Sequence, residues 1–297
     1  MMIAGLALAL AAASLGEPAA PPPQLQDGGS DAIVVQGVRP SRKQIRDFVR
    51  ALTDVPSFGQ ISRFRLPVCP AAIGLAPLQN ARVAERMREV AGAAKVPVAP
   101  ARCTPNAFVI VAADKGEAIS ELNRLFPAYF SQMSDREVRQ LAAGDGPAAA
   151  WQVTTLMTAD GELAAKTIGA EYYTVKGTIS PSRIKAASTP TFLASVVVID
   201  IKSAAGLTLT QLADYAAMRT FADVAPERVA KVGVPSILGV LGQADDRPLP
   251  VTLTHWDLGF LKSLYATDNA YLATFQRGDM ERVLKKEVEQ AGREAKR

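Results

Sequence analysis

The sequence predicts an α+β fold in which packed helices cover a mixed sheet. Residues Ala194–Ile199 are continuously apolar or small, which is typical of a strand buried on both faces of a sheet. Other segments repeat apolar residues with the helical period, and strand-like and helix-like segments follow one another without strict alternation. With 297 residues, 48% of them hydrophobic, the chain is long enough to bury a self-sufficient core.

The helices are predicted from apolar stripes and capping residues. Ser41 is expected to cap a helix that reaches about Leu52, and Thr254 with Asp257 forms a capping box that opens a helix to about Ala266. A long helix between the two cysteines should face the core with Leu78, Val83, Met87, Val90 and Ala91. Further helices are expected over 118–125, with Leu125 inward, over 135–142 and 209–222, and from Asp279 onward.

The strands are predicted where apolar, β-branched and aromatic residues cluster or alternate. They are expected over 32–35, 63–68, 107–111, 151–157, 172–179 and 192–201. Asp160 and Gly161 mark a turn after the fourth of these.

The N-terminus has the pattern of an export signal. Met1–Leu15 contains no charged side chain and is too short to span a bilayer comfortably, and small residues and prolines follow it. We expect a signal peptide over residues 1–20, a flexible linker over 21–30 and a single globular domain over 31–297. No Lys or Arg precedes the apolar run, so an apolar N-terminal helix is the alternative. No later run reaches membrane length, so we expect a periplasmic or secreted protein without an integral membrane span after signal removal.

Cys69 and Cys103 are the only cysteines, and an exported protein meets an oxidising compartment, so they are expected to form a disulfide. The alternative is a nucleophilic cysteine, which requires a base, and the only histidine is His255. One histidine and two cysteines cannot build a four-cysteine, two-cysteine-two-histidine or three-histidine metal site within one chain. We therefore expect no metal.

The charge balance argues against a nucleic-acid partner, because 33 Lys and Arg oppose 29 Asp and Glu without a long run of one sign. The sequence contains no phosphate loop, dinucleotide fingerprint or calcium loop, so no cofactor is expected. The sequence leaves the partners of the protein unknown.

Four residues are candidates for chemistry. Ser182 and Lys185 have the Ser-x-x-Lys spacing that places a hydroxyl and an amine on one helical face, although a turn is the commoner interpretation. His255 begins a helix, where a lone histidine is usually structural. Asp214 shares an apolar helical stripe with Met218 and Phe221, so it should be buried and paired, with Arg219 or Arg183 as the expected partner. A catalytic acid with a raised pKa is the alternative for Asp214.

Several segments resemble a family of exported alphaproteobacterial proteins of unknown function that occurs in sphingomonads and their relatives. The matching segments extend from about Val34 to Leu284, and they are Leu66–Pro70 with Gly74 and Leu75, Cys103–Val111, Ser182–Ile184, Val196–Asp200, Gln211–Met218, and Trp256–Asp257 through Leu264–Tyr265. The resemblance assigns no activity.

The order of elements also resembles zincin-like metallopeptidase relatives that have lost the His-Glu-x-x-His motif. In that comparison Ala213 and Ala217 stand at the ligand positions and Asp214 stands at the position of the glutamate, which implies that no zinc binds there. The first functional hypothesis is an exported cell-envelope protein without a catalytic site, with a binding or structural role. The alternative is a serine-type or carboxylate-dependent hydrolase.

Overall fold

A computed structural model describes residues 40–158, 160–166, 173–174, 177–178, 180–241 and 248–294. The predicted signal peptide, the linker and the strand over 32–35 lie outside these residues, as does half of the strand expected over 172–179. Among the described residues, no helix is both long and apolar enough to cross a membrane.

Eight α-helices and six strands are described. The helices are α1 (Arg42–Ala51), α2 (Pro77–Ala93), α3 (Lys115–Leu125), α4 (Asp135–Ala143), α5 (Leu209–Phe221), α6 (Pro226–Val229), α7 (His255–Ala266) and α8 (Ala273–Glu294). The strands are β1 (Pro70–Ile73), β2 (Ala107–Ala112), β3 (Ala148–Thr158), β4 (Ala165–Lys166), β5 (Tyr173–Thr174) and β6 (Ser188–Asp200). Short 3₁₀ helices lie at Pro127–Phe130 and Ile237–Gly239.

Four strands form a mixed sheet in the order β1-β2-β6-β3. β1 and β2 are parallel, β2 and β6 are parallel, and β3 is antiparallel to β6. This arrangement makes β3 an edge strand. β4 and β5 form a separate two-stranded antiparallel sheet.

The core lies on both faces of the mixed sheet, because successive side chains of a strand point to opposite faces. Val109 and Val197 belong to a large cluster that also contains residues from α1, α2, α5, α7 and α8. Phe108 and Val198 belong to a second cluster with α3, α4 and the 3₁₀ helix at Pro127–Phe130. The continuous apolar run in β6 is thereby explained, and the α+β prediction is confirmed.

The predicted disulfide is present between Cys69 and Cys103, whose Cα atoms lie 6.0 Å apart. Each cysteine lies shortly before a strand, so the bond joins the entries of β1 and β2 across the connecting helix α2. In the chain-entropy picture a bond that closes a loop of this size contributes about 4 kcal/mol to the free energy of unfolding.

Three details of the sequence prediction are wrong. The strand expected over 63–68 begins only at Pro70, because Arg63 and Val68 make isolated bridges to different neighbours, Thr191 and Val98. α8 begins at Ala273, ahead of the cap expected at Asp279.

Leu78 and Leu125 were expected to face the core, but they are 65% and 36% exposed. Both lie in terminal turns of their helices. The apolar period identifies the face of a helix, but not whether another element covers the end of that face.

Candidate functional site

Asp214 lies on α5, a helix buried on nearly every side after the Thr208 capping box. Its carboxylate is fully buried. Arg86 of α2 donates from Nε to Oδ1 at 2.8 Å and from Nη2 to Oδ2 at 3.3 Å. Oδ2 also accepts from the Thr252 hydroxyl at 2.5 Å and from the Leu253 N–H at 2.7 Å.

The prediction of a buried, paired carboxylate is confirmed, but the expected partner is wrong. The ion pair is with Arg86, and Arg219 donates instead to the hydroxyl of Tyr215. Burial opposes the charge of Arg86, yet its bonds to Asp214 and Glu89 raise its pKa above the usual value. The Asp214 carboxylate accepts four hydrogen bonds and so joins α2, α5 and the segment 252–253. This is the arrangement of a structural ion pair.

Ser182 and Lys185 do not form the hydroxyl–amine pair that their spacing predicted. No helix is present over 180–187, so the two side chains do not share a helical face. The Ser182 hydroxyl oxygen accepts from the backbone N–H of Lys185 at 3.1 Å, as in a turn. Lys185 Nζ lies 2.7 Å from Asp268. This contact raises the pKa of Lys185, whereas activation of a serine requires a neutral amine.

His255 is the first residue of α7 and is half-buried beside Trp256. Two residues further on, Asp257 is fully buried, and burial raises its pKa. Its Oδ1 accepts from the Ser236 hydroxyl at 2.5 Å, and its Oδ2 accepts from the backbone of Ile237 at 2.8 Å and of Thr254 at 2.9 Å. Asp257 therefore anchors the segment 236–237 to the start of α7.

A cleft of about 440 Å³ opens beside the first residues of β3, at the free edge of the sheet. Ala148, Ala149 and Ala150 of β3 form its floor. The walls come from the segment that follows α1, from α4, from the end of α5 and from α6, and they include Leu52, Val55, Ile61, Gln140, Leu141, Ala222, Val224, Phe260 and Leu264. The volume is in the range of clefts that hold small molecules.

Arg219 lines this cleft, and its buried charge is incompletely satisfied. The residue is 9% exposed. Nη1 donates to Tyr215 Oη at 3.2 Å, and the guanidinium lies 5.9 Å from the centre of the same ring. Nε is buried and has no hydrogen-bond partner among the described residues. Burial raises the pKa of Tyr215, so its hydroxyl is neutral and supplies no negative charge to Arg219.

Another buried arginine, Arg63, is held by main-chain carbonyls, although burial lowers its pKa to about 10. Arg63 is 7% exposed, and its two terminal nitrogens donate to the carbonyls of Leu264 and Thr267 at the C-terminal end of α7. Those carbonyls are the negative end of the helix dipole. Arg63 thus completes a helix terminus, and the Nε of Arg219 has no such partner.

A second buried cation, Lys115, lines the same cleft. It is 7% exposed, and Nζ donates to the carbonyl of Gly144. No ion pair joins Lys115 or Arg219 to a carboxylate of the described residues. The acids of the cleft lie at its exposed rim and are Asp54, Asp223 and Glu227.

The rim acids differ in their partners. Asp54 pairs with Arg228 at 2.5 Å. Asp223 reaches solvent, yet crowding by the surrounding protein raises its pKa, and the nearby Arg219 and Arg228 oppose that rise. The cleft therefore combines a cationic interior with an acidic rim.

A second, mainly apolar cavity of about 480 Å³ lies between residues 226–239 and 248–254. Val229, Val234 and Leu249 are among its lining side chains. The segments around it are anchored by the buried carboxylates of Asp214 and Asp257. Those two aspartates hold its walls, and neither lines it.

Neither cation of the cleft is predicted from the sequence as a cleft residue. Arg219 is expected there only as a partner for Asp214, and Lys115 precedes the helical pattern, which begins at Ala118. A usable signal for Arg219 is its place on a helix that is otherwise almost entirely apolar. No protein-family model, curated protein or solved structure matches this chain.

Proposed function

We propose that this chain is an exported, non-enzymatic binding protein of the cell envelope, and that its ligand occupies the cleft beside β3. Export is supported by the uncharged apolar start and the small residues that follow it, and by the disulfide, which persists in an oxidising compartment. Fractionation of the native host, with intact-mass measurement of the recovered protein, tests this part. Recovery from the cytoplasm with Met1 retained would overturn it.

The observation that carries the binding role is the buried guanidinium of Arg219 at the wall of the cleft. Buried charges are normally paired, because removing a charge from water costs several kcal/mol. The Nε of Arg219 has no described partner, although the rest of the side chain is held in place by Tyr215. Nε itself is shielded from solvent, but a guanidinium that the fold leaves without an anionic partner favours an anionic ligand group at the cleft.

The cleft can be filled by one substitution without backbone strain. Gly146 lines it, and an added Cβ there meets only the carbonyl oxygen of Ala148 at 3.6 Å. Gly146→Trp should therefore block the cleft and leave the fold intact. Gly92→Trp is the matched control, because Gly92 is exposed on α2 and an added Cβ there has no neighbour within 4 Å.

We expect saturation-transfer NMR with a library of charged and neutral small molecules to find compounds that bind the wild type and Gly92→Trp equally. The same compounds should lose binding in Gly146→Trp. A library that gives no binder, or binders that are unaffected by Gly146→Trp, would contradict a ligand in this cleft.

A further inference from the structure

The free side of the Arg219 guanidinium has a defined geometry. Nη1 is occupied by Tyr215, and Nε together with Nη2 forms the opposite edge of the planar group. Nε has no hydrogen-bond partner among the described residues but is shielded from solvent, so Nη2, which also makes no hydrogen bond to a described residue, is the donor that is open to the cleft. Arg86 uses the same edge to hold Asp214, with Nε on one carboxylate oxygen and Nη2 on the other. Nη2 of Arg219 can thus donate a charge-assisted hydrogen bond to a carboxylate in the cleft.

Lys115 adds a second positive charge to the same cleft. Its Nζ is held by the carbonyl of Gly144, which leaves an ammonium group with further donors. Two nearly buried cations attract an anionic group more strongly than the same cations at the surface, because the effective dielectric constant around them is lower.

The acidic side chains at the rim of the cleft attract a cationic group instead. Asp223 and Glu227 line the cleft, are exposed, and form no ion pair with another described residue, whereas the charge of Arg228 in the same lining is paired with Asp54. A simple anion would gain from Arg219 and Lys115 but would be repelled by these carboxylates. A ligand that carries a cationic group near its anionic group gains from both.

We propose that the cleft binds a small zwitterion, a free α-amino acid or a dipeptide, with its carboxylate on Arg219 and its ammonium group toward Asp223 and Glu227. This inference deepens the proposed function and rests on it. The volume of about 440 Å³ accommodates ligands of this size. The mixed lining, with Leu52, Val55 and Ile61 beside Gln140, gives apolar contacts to a side chain of the ligand.

Three related ligands test the two ends separately, and calorimetry gives the affinities. L-leucine carries both charges, L-leucinamide lacks the carboxylate, and N-acetyl-L-leucine lacks the ammonium group. We expect each modified ligand to bind at least about tenfold more weakly than L-leucine, because each loses a charge-assisted hydrogen bond. L-alanyl-L-alanine with its amide and N-acetyl forms repeats the series for dipeptides, and the tighter of the two parent ligands identifies the source.

Two variants test which residue binds the carboxylate of the ligand and which binds its ammonium group. Arg219→Gln should lower the affinity for the parent ligand at least about tenfold. It should not lower the affinity for the amide further, because the amide has already lost the contact with Arg219. Asp223→Asn should weaken the parent ligand and leave the N-acetyl form unchanged. Arg124→Gln is the control, since Arg124 is an exposed arginine on α3 that pairs with Glu121. Thermal unfolding of every variant establishes that it is folded, and Asp223→Asn, at an exposed position, keeps the test open if Arg219→Gln is unstable.

The failures of the two proposals are distinguishable. Equal binding of the amide or of the N-acetyl form, or no binding of either parent ligand, overturns the zwitterion assignment. If neutral compounds still bind to the wild type and lose binding in Gly146→Trp, the proposed binding function stands although the ligand is not a zwitterion. Binding of L-leucine that persists in Gly146→Trp would overturn both.

Discussion

The substitution Asp214→Ala should destabilise the protein strongly, because it removes the acceptor of four hydrogen bonds in one step. Arg86 Nε and Nη2, the Thr252 hydroxyl and the Leu253 N–H all donate to this carboxylate. Loss of one partner of a buried ion pair typically costs about 3 to 5 kcal/mol. Arg86 has 24% of its side chain exposed and a second contact with Glu89, so it can turn partly toward solvent. The backbone N–H of Leu253 cannot turn toward solvent in the same way. We therefore expect Asp214→Ala to lower the free energy of unfolding by about 3 kcal/mol.

Urea denaturation measures this loss directly. For a domain of this length, about 3 kcal/mol corresponds to a fall in Tm of roughly 6 to 12 °C. Asp214→Asn should lose less than Asp214→Ala, because the amide oxygen still accepts from part of the network. Glu89→Gln is the control, since Glu89 is a mostly exposed partner of the same arginine and its substitution should cost less than about 1 kcal/mol.

A double-mutant cycle with Arg86→Met separates the ion pair from the other hydrogen bonds. Residues in one network show interaction energies of about 0.5 to 3 kcal/mol, so the double variant should be less destabilised than the sum of the single variants. Additive effects, or an unchanged midpoint in both Asp214 variants, would refute the assignment of Asp214 to a buried network.

Three further predictions concern other parts of the chain. Replacing both Cys69 and Cys103 by Ala should lower the free energy of unfolding by about 4 kcal/mol, and urea midpoints equal to those of the wild type would contradict this. Ser182→Ala and Lys185→Met should each change stability by less than about 1 kcal/mol, since the Lys185–Asp268 pair is partly exposed, and labelling by a fluorophosphonate that depends on Ser182 would contradict a non-catalytic serine. Burial raises the pKa of Asp257 above its unfolded value of about 3.8, so the unfolded chain releases this proton first as the pH rises. Above that pH, the free energy of unfolding of the wild type, measured by urea titrations, should fall relative to that of Asp257→Asn, with a limiting slope of about 1.4 kcal/mol per pH unit. A rise in this difference would refute a raised pKa for Asp257.

The sequence predicted the main helices well because their determinants are local. Ser41 and Thr254 supply a capping side chain and begin their helices where expected. The apolar run in β6 identified the central strand, since only a strand covered on both faces needs to be continuously apolar. The disulfide could be paired because the chain contains only two cysteines.

The site was less predictable, because its geometry depends on contacts between distant segments. The helical stripe showed that Asp214 is buried, but not that α2 would bring Arg86 to it across 128 residues of sequence. Ser182 and Lys185 have a spacing that matters only on a helix, and that segment forms a turn. The cleft beside β3 is assembled from elements between Ala51 and Leu264, and no local pattern marks such a cleft.

Arg219 provides the sharpest contrast with Asp214, since both side chains lie on α5 and both are at least nine-tenths buried. Asp214 is satisfied by the fold, whereas Arg219 keeps an unpaired Nε and bonds only to one neutral hydroxyl. Replacing a buried ion pair by apolar side chains of similar volume is often neutral or stabilising, because the desolvation cost of the charges is removed, and the same cost applies to a single buried charge. Arg219→Met removes that unpaired group and leaves the Tyr215 hydroxyl without its donor, and the two effects oppose each other. We therefore expect a change within about 1 kcal/mol in urea denaturation, with binding of L-leucine lost. A loss above about 3 kcal/mol would mean that the fold itself depends on this charge, and Arg219 would then be a structural residue, as Arg63 is.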